Sequence, residues 1–220
     1  MCDALQCEDS ENNGSQRRRR DMNKPLVITL SVIVGLVVIV AMVFGGVYNT
    51  LVAREEGVTS AWAQVENVYQ RRADLVPNLV NTVKGFAAQE KDVLQGVVEA
   101  RSKVSQMNVN AGDIVNDPAA LQRFQEVQGQ LSSALSRLLV TVERYPELKS
   151  SQNFLALQTQ LEGTENRIAV ERRRFNEAAR AFNTFRRQFP NALIANMMGF
   201  EAKGYFEADA GADTVPTVQF

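Results

Sequence analysis

From Val58 to Phe86 the chain repeats Val58, Trp62, Val65, Tyr69, Arg72, Val76, Leu79, Val83 and Phe86 at alternating spacings of four and three. A period of 3.5 residues holds one face of a helix against neighbouring helices over many turns, so this stretch argues against a sheet and calls for helical partners. Every position in the stripe is apolar or aromatic except Arg72. A guanidinium in the middle of such a seam needs a carboxylate partner or an opening to water.

The same spacing returns further along. Val93, Val97, Ala100 and Val104 predict a shorter helix ending near Met107. Residues 108–117 carry Asn, Gly and Asp, which favour turns, and Asp117-Pro118 reads as an N-cap with proline at the first helical position. The next helix carries Leu121, Phe124, Gln128, Leu131, Leu135, Leu138, Val142 and Tyr145 and stops at Tyr145-Pro146, because proline disfavours helix at the residue before it. The short connection 146–150 implies an antiparallel neighbour. That neighbour is the longest seam: Phe154, Leu157, Leu161, Thr164, Ile168, Glu171, Phe175, Ala178, Phe182, Phe185 and Phe189, closed by Pro190.

Pro77 falls inside the first seam, which resumes in phase at Leu79. The expectation is a kink and not a stop, with Asp74 and Asn78 bonding the backbone groups that Pro77 frees. After Pro190 the pattern dissolves, yet Phe200, Tyr205, Phe206 and Phe220 persist, so an irregular or short-helical segment packed on the bundle is expected.

Upstream of the seams, Pro25 to Ala53 holds no charged side chain, and Leu26 to Val43 is Leu, Ile and Val interrupted only by Thr29, Ser31, Gly35, Ala41 and Met42. A helix needs roughly 20 apolar residues to span a bilayer. A cleavable signal would have an apolar region of about 7–15 residues ending in a small-x-small site, which Val43-Phe44-Gly45 does not offer, and no cysteine follows the run for lipid attachment. Arg17, Arg18, Arg19, Arg20 and Lys24 precede the run, against a lone Arg54 followed by Glu55 and Glu56. The positive-inside rule then keeps the N-terminus cytoplasmic and puts the helical part outside the cytoplasm, at the plasma (inner) membrane. Ser31 and Gly35 give a weak small-xxx-small cue for association within the span.

The reading divides the chain into a disordered cytoplasmic tail (1–24), a transmembrane anchor helix (25–47), a helical bundle (48–190) and an irregular C-terminal segment (191–220). Its fold class is all-α, an anchor helix followed by an antiparallel bundle of long helices.

Several strings resemble one family. Arg71-Arg72-Ala73-Asp74-Leu75-Val76-Pro77-Asn78-Leu79-Val80, Glu90, Ala100-Arg101 and Tyr145-Pro146-Glu147-Leu148-Lys149 leading into Phe154 stand in the order found in the LemA family of bacterial membrane proteins. Leu161-Glu162-Gly163-Thr164-Glu165-Asn166-Arg167-Ile168, Arg174-Phe175-Asn176, Phe189-Pro190 and Gly199-Phe200 continue the resemblance. It covers roughly residues 48–220. Phe175, where a tyrosine is frequent, and the ending Pro216-Thr217-Val218-Gln219-Phe220 are small departures. The resemblance implies an N-terminal anchor, an elongated helical bundle, no established enzymatic activity, and roles in scaffolding or envelope organisation.

Chemistry narrows by elimination. The chain has no histidine, which removes Ser-His-Asp triads, Cys-His pairs and the commonest metal ligand. Its two cysteines, Cys2 and Cys7, lie in the tail, so the bundle has neither a disulfide nor a zinc site of the usual N/S type. The C-x4-C spacing reads as incidental. No catalytic residue, cofactor or metal site is expected, and a net charge of −1 gives no reason to expect nucleic acid as partner.

What stands out instead is the set of polar residues that break the seams. Arg72 and Glu171, each midway along its seam, are expected to face one another as a structural ion pair, with Glu165, Asn166 or Arg167 adding hydrogen bonds. Arg172, Arg173 and Arg174 read as a solvated basic face. The expected function is a non-enzymatic interaction or scaffold module in the cell envelope. Its expected partners are the lipid bilayer and either an envelope protein or further copies of the chain. The rival readings are membrane remodelling or lipid binding, and a hydrolase that works through carboxylates.

Overall fold

A computed structural model describes the backbone of residues 5–107 and 111–207, and the side chains from residue 26 onward apart from those of 111 and 113. Among the described residues every regular element is a helix: α1 Leu5–Phe86, α2 Lys91–Gln106, α3 Ala111–Asn116, α4 Pro118–Val142, α5 Pro146–Lys149, α6 Gln152–Arg187 and α7 Asn191–Met197. The chain forms two compact units, Met1–Asn49 and Thr50–Phe220.

In the first unit the backbone is helical from Leu5 on, where polar composition suggests disorder. Extending an existing helix is far cheaper than nucleating one, and Gln16 to Arg20 are good helix formers. The side chains of the basic cluster Arg17, Arg18, Arg19, Arg20 and Lys24 lie outside the described residues, as does the tail end with Cys2. Leu26 to Val43 is helical and exposed, with Leu, Ile and Val on every face. A helix apolar all round is built for an apolar solvent, and this one is long enough to cross a bilayer.

In the second unit the seams meet. Val58, Trp62, Val65, Val83, Leu131, Leu138, Phe175 and Phe182 are wholly buried. Contacts fix the directions. Arg54 bonds Ala181, Trp62 packs on Phe175, and Arg72 reaches Glu165, so residue numbers rise on α1 as they fall on α6: the two are antiparallel. Trp62 with Phe124 and Arg72 with Gln128 and Ser132 make α4 parallel to α1. α2 folds back against α1 and runs antiparallel to α4, with Arg101 at Ala73, Lys103 at Gln130, and Glu90 at Tyr145. The seams end early at two places. Phe86 and Phe189 are exposed because their helices stop beside them, and Ala87 fills the buried position after the first.

The interior has two halves. Leu79, Val83, Val97, Leu135, Leu138 and Phe154 belong to an aliphatic cluster closed by α2. The other half is aromatic: Trp62 meets Phe124 and Phe175 edge-on and stacks on Phe206 at 6.2 Å. Phe206 comes from the segment after α7, which has no regular secondary structure and is strapped to α6. Asn176 donates to Phe206 O and accepts from Phe206 N, and Asn183 does the same for Lys203. Seven residues of helix advance about 10.5 Å and three of near-extended chain about 10 Å, so the two amides match the two backbone positions. Gly204 between them passes so close to α4 that a Cβ there would sit 3.3 Å from Pro118 Cα.

Helix α1 runs unbroken through Pro77. A proline removes the donor that would satisfy the carbonyl four residues back, here Ala73. Neither Asp74 nor Asn78 repairs this: Asp74 accepts from Gln70, and the carbonyl of Asn78 accepts from Thr82. The repair comes from α2, where Arg101 Nε donates to Ala73 O at 3.0 Å. Asp74 and Asn78 sit on the solvent side of α1, whereas Ala73 faces inward, so only a long side chain from a neighbouring helix reaches the orphaned oxygen.

Arg101→Met should therefore cost about 1–3 kcal/mol by leaving a buried carbonyl unpaired. In a Pro77→Ala background, where the helix supplies its own N–H, the same change should cost clearly less. Chemical unfolding of the four proteins in mild detergent, followed by circular dichroism, measures the difference. Equal costs in the two backgrounds would refute the assignment.

Candidate functional site

Where the aliphatic and aromatic halves meet, the seams are polar on all three long helices. α1 contributes Arg72, α4 Gln128, and α6 Thr164, each buried. Thr164 satisfies its hydroxyl within its own helix by donating to Gln160 O. Arg72, 1% exposed, has no such option. Its Nη1 donates to Ser132 Oγ (2.8 Å) and Glu165 Oε1 (2.9 Å), and its Nη2 to Gln128 Oε1 (2.5 Å) and Gln128 O (3.3 Å). The guanidinium also lies over the Tyr69 ring at 5.0 Å. Its Nε and the Trp62 indole N–H are buried without a hydrogen-bond partner among the described residues.

The carboxylate that meets Arg72 is thus Glu165, and the expected pairing with Glu171 does not occur. Glu171 accepts from Arg174 one turn along its own helix at 2.8 Å. The cause is axial register. Ten residues up α1 from Trp62 and ten down α6 from its partner Phe175 lie Arg72 and Glu165. Glu171 is six residues away, about 9 Å along the axis, beside Arg71 and Arg167 on the border of a separate cleft. The partners of Arg72 do not include Asn166 or Arg167.

Above this layer lies a cleft of about 430 Å³ bordered by Tyr69, Gln125, Ser133, Glu165 and Arg172. All four Nη protons of Arg72 are engaged by the protein, so the cleft floor offers a ligand no free guanidinium fork. Arg172 is likewise occupied, donating to Glu207 O (2.6 Å) and lying over the Phe206 ring. The basic run divides: Arg172 serves the strap, Arg174 pairs with Glu171, and Arg173 is exposed.

A second buried cation escaped the periodicity. Lys203, with a fully buried side chain, pairs with Glu55 of α1, donates to Asn116 of α3 and lies 4.9 Å from the Phe182 ring. Its position in a patternless segment gave no signal. The aromatics Phe200, Tyr205 and Phe206 pointed to a segment packed on the bundle, and Asn176 and Asn183, seven apart on α6, were the trace of how it is held. The two buried cations therefore hold helices together.

A cleft of about 840 Å³ runs between α2 and α4. Gly96, Ala100 and Gly129 line it, with Asp92, Glu99 and Glu126 set against Lys103 and Arg137. Among the described residues no group of three His, Cys, Asp or Glu is placed to hold a metal ion.

The LemA family profile matches residues 61–220. Magnetosome protein MamQ of Magnetospirillum gryphiswaldense is 28% identical over 182 residues, covering 76% of this chain and 67% of its own length. Magnetosome protein MamQ 2 of Paramagnetospirillum magneticum matches equally. Protein LemA of Metamycoplasma hominis is 24% identical over 166 residues, covering 76% of this chain and 71% of its own. With the exposed apolar helix, these likenesses make the chain a membrane-associated helical protein.

Removing one side of a buried charge–carboxylate bond typically costs about 1.5–3 kcal/mol. In a double-mutant cycle Arg72→Met and Glu165→Gln should couple by about 1 kcal/mol or more, because Glu165 is half-exposed and regains water when freed. Arg72→Met and Glu171→Leu should be additive. Unfolding midpoints of the single and double variants decide it, and the reverse pattern would return Glu171 to the site.

Proposed function

The chain belongs to the LemA family, and from that premise we propose that it is a non-enzymatic, single-pass protein of the plasma membrane whose bundle serves as an interaction or scaffold module in the cell envelope. Its N-terminus is cytoplasmic and its bundle extracytoplasmic. The observation that carries this reading is where the polar chemistry goes. Arg72, Lys203, Arg101 and Asn183 are all bonded to other helices or to the strap, whereas the α2–α4 cleft presents charges of both signs to solvent over a floor of small residues. Small side chains allow a partner backbone to come close, and charges of both signs at the rim fix its orientation. The occupant that suits such a channel is a helical segment of another envelope protein or of a second copy.

A Cβ at Gly96 or Gly129 would meet nothing within 4 Å, so Gly129→Leu fills the cleft without straining the bundle. Leucine is also the better helix former by roughly 0.5–1 kcal/mol. A photo-crosslinker at Ser133 should give a discrete adduct in intact cells, absent from a probe at exposed Leu155. Gly129→Leu should abolish that adduct while leaving the unfolding midpoint unchanged or raised. Identical adducts from both sites, or none from Ser133, would exclude the cleft as the contact surface. Reporters fused at each terminus test the orientation: a reporter active only in the cytoplasm should work at the N-terminus alone.

A further inference from the structure

Large exposed apolar side chains in the second unit are mostly scattered, as at Val98, Val140 and Leu155, but Phe189, Leu193, Met197 and Met198 fall within ten residues. Leu193 and Met197 are one turn apart on the outer face of α7, whose inner face buries Asn191, Ile194 and Ala195. The short helix is apolar on both sides. It is also firmly fixed. Asn191 donates to Phe185 O, Arg186 to Asn196 Oδ1 and Phe200 O, and Phe200 N to Ala195 O, with Gly199 turning the chain at φ 76°. A patch held open in this way is not a loose end that would fold inward.

Its surroundings say what covers it. Arg186 and Arg187 close α6 immediately before Phe189, and Arg180 is exposed two turns earlier. This end of α6 is bound to Arg54, which donates to Ala181 O and lies over the Phe185 ring at 4.6 Å. Arg54 lies ten positions after Phe44, where the apolar run ends. Such a tether measures about 35 Å at full extension and about 15 Å as helix. The patch is therefore kept near a bilayer surface by covalent connection. Aromatic, Leu and Met side chains beside arginines are the composition that enters the interface of an anionic membrane.

We infer that the α7 corner, Phe189 with Leu193, Met197 and Met198, is a lipid-contacting foot that seats the bundle on the surface of an anionic bilayer. The inference is independent of the α2–α4 cleft, which lies on other helices.

The test uses the full chain with Cys2→Ser and Cys7→Ser, carrying one cysteine at Leu193→Cys or, as control, at Val140→Cys. Val140 is equally exposed, at the far end of α4. Each is labelled with an environment-sensitive fluorophore and reconstituted into vesicles of phosphatidylglycerol and phosphatidylcholine. Spin-labelled lipid bearing its quencher near the headgroups should quench the Leu193 probe several-fold more than the Val140 probe. Arg180→Glu with Arg187→Glu should reduce that quenching in the anionic vesicles. Equal quenching at both sites would overturn the inference. So would a Leu193 probe shielded from aqueous iodide but untouched by the lipid quencher, since a second copy or another protein would then cover the patch. Both sites are on the surface, and an unchanged circular dichroism spectrum confirms the fold in each variant.

Discussion

The bundle depends on burying one guanidinium where three helices converge. Taking a cation out of water costs several kcal/mol unless its hydrogen bonds are replaced with good geometry, and Arg72 recovers those of both Nη atoms from Gln128, Ser132 and Glu165 together. Apolar seams of period 3.5 are nearly indifferent to sliding by a heptad, about 10.5 Å of axial travel. Slipping α6 by a heptad past α1 would put Gln158 or Arg172 where Glu165 stands and leave the charge without a carboxylate. The polar layer thus removes a degeneracy that Leu, Val and Phe cannot remove, and it aligns α4 at the same time.

Much of this fold could be read along the chain, because a helical seam is a local pattern. The stripe through Trp62 and Val83, the cap at Asp117, which accepts from Ala119 N, the stop before Pro146 and the length of α6 all follow from spacing and side-chain type. That Arg72 would be buried and would need a carboxylate followed as well. Which carboxylate did not, since the answer depends on the axial offset between α1 and α6, the same offset that brings Trp62 against Phe175. Pro77 gives the same lesson. The sequence marks Ala73 as the carbonyl left without a donor, but only the approach of α2 reveals Arg101 as its partner. The aromatics after Pro190 marked a segment packed on the bundle, but its course and the role of Lys203 were illegible for a different reason: an irregular segment has no period, and its bonds run to Asn176 and Asn183 through backbone atoms common to every residue.

Membership in the LemA family and the apolar helix Leu26 to Val43 place the protein at a membrane. Inside the bundle, charge is used for register and closure, which leaves recognition to the surface. There the chain offers two unlike features: a channel of small residues edged by opposite charges between α2 and α4, and an apolar corner beside arginines at α7. The first has the form of a seat for protein backbone and the second the chemistry of a lipid interface, so the two need not compete for one partner.

Three long helices do not by themselves enclose a core, and each half of this bundle is closed by a different fourth wall. On the aliphatic half that wall is α2, a regular helix contributing Leu94, Val97 and Ala100. On the aromatic half it is the strap, whose Phe206 closes over Trp62 and Phe175 while Lys203 ties Glu55 to Asn116. A helix carries its own backbone bonds, whereas the strap borrows two pairs of them from asparagine side chains. Its attachment therefore rests on a few specific bonds rather than on cooperative secondary structure, and local opening should begin there. Release of the strap would uncover the Trp62 face and leave Lys203 without its buried partners. The half of the bundle joined most closely in sequence to the apolar helix is thus the half whose integrity is set by the strap.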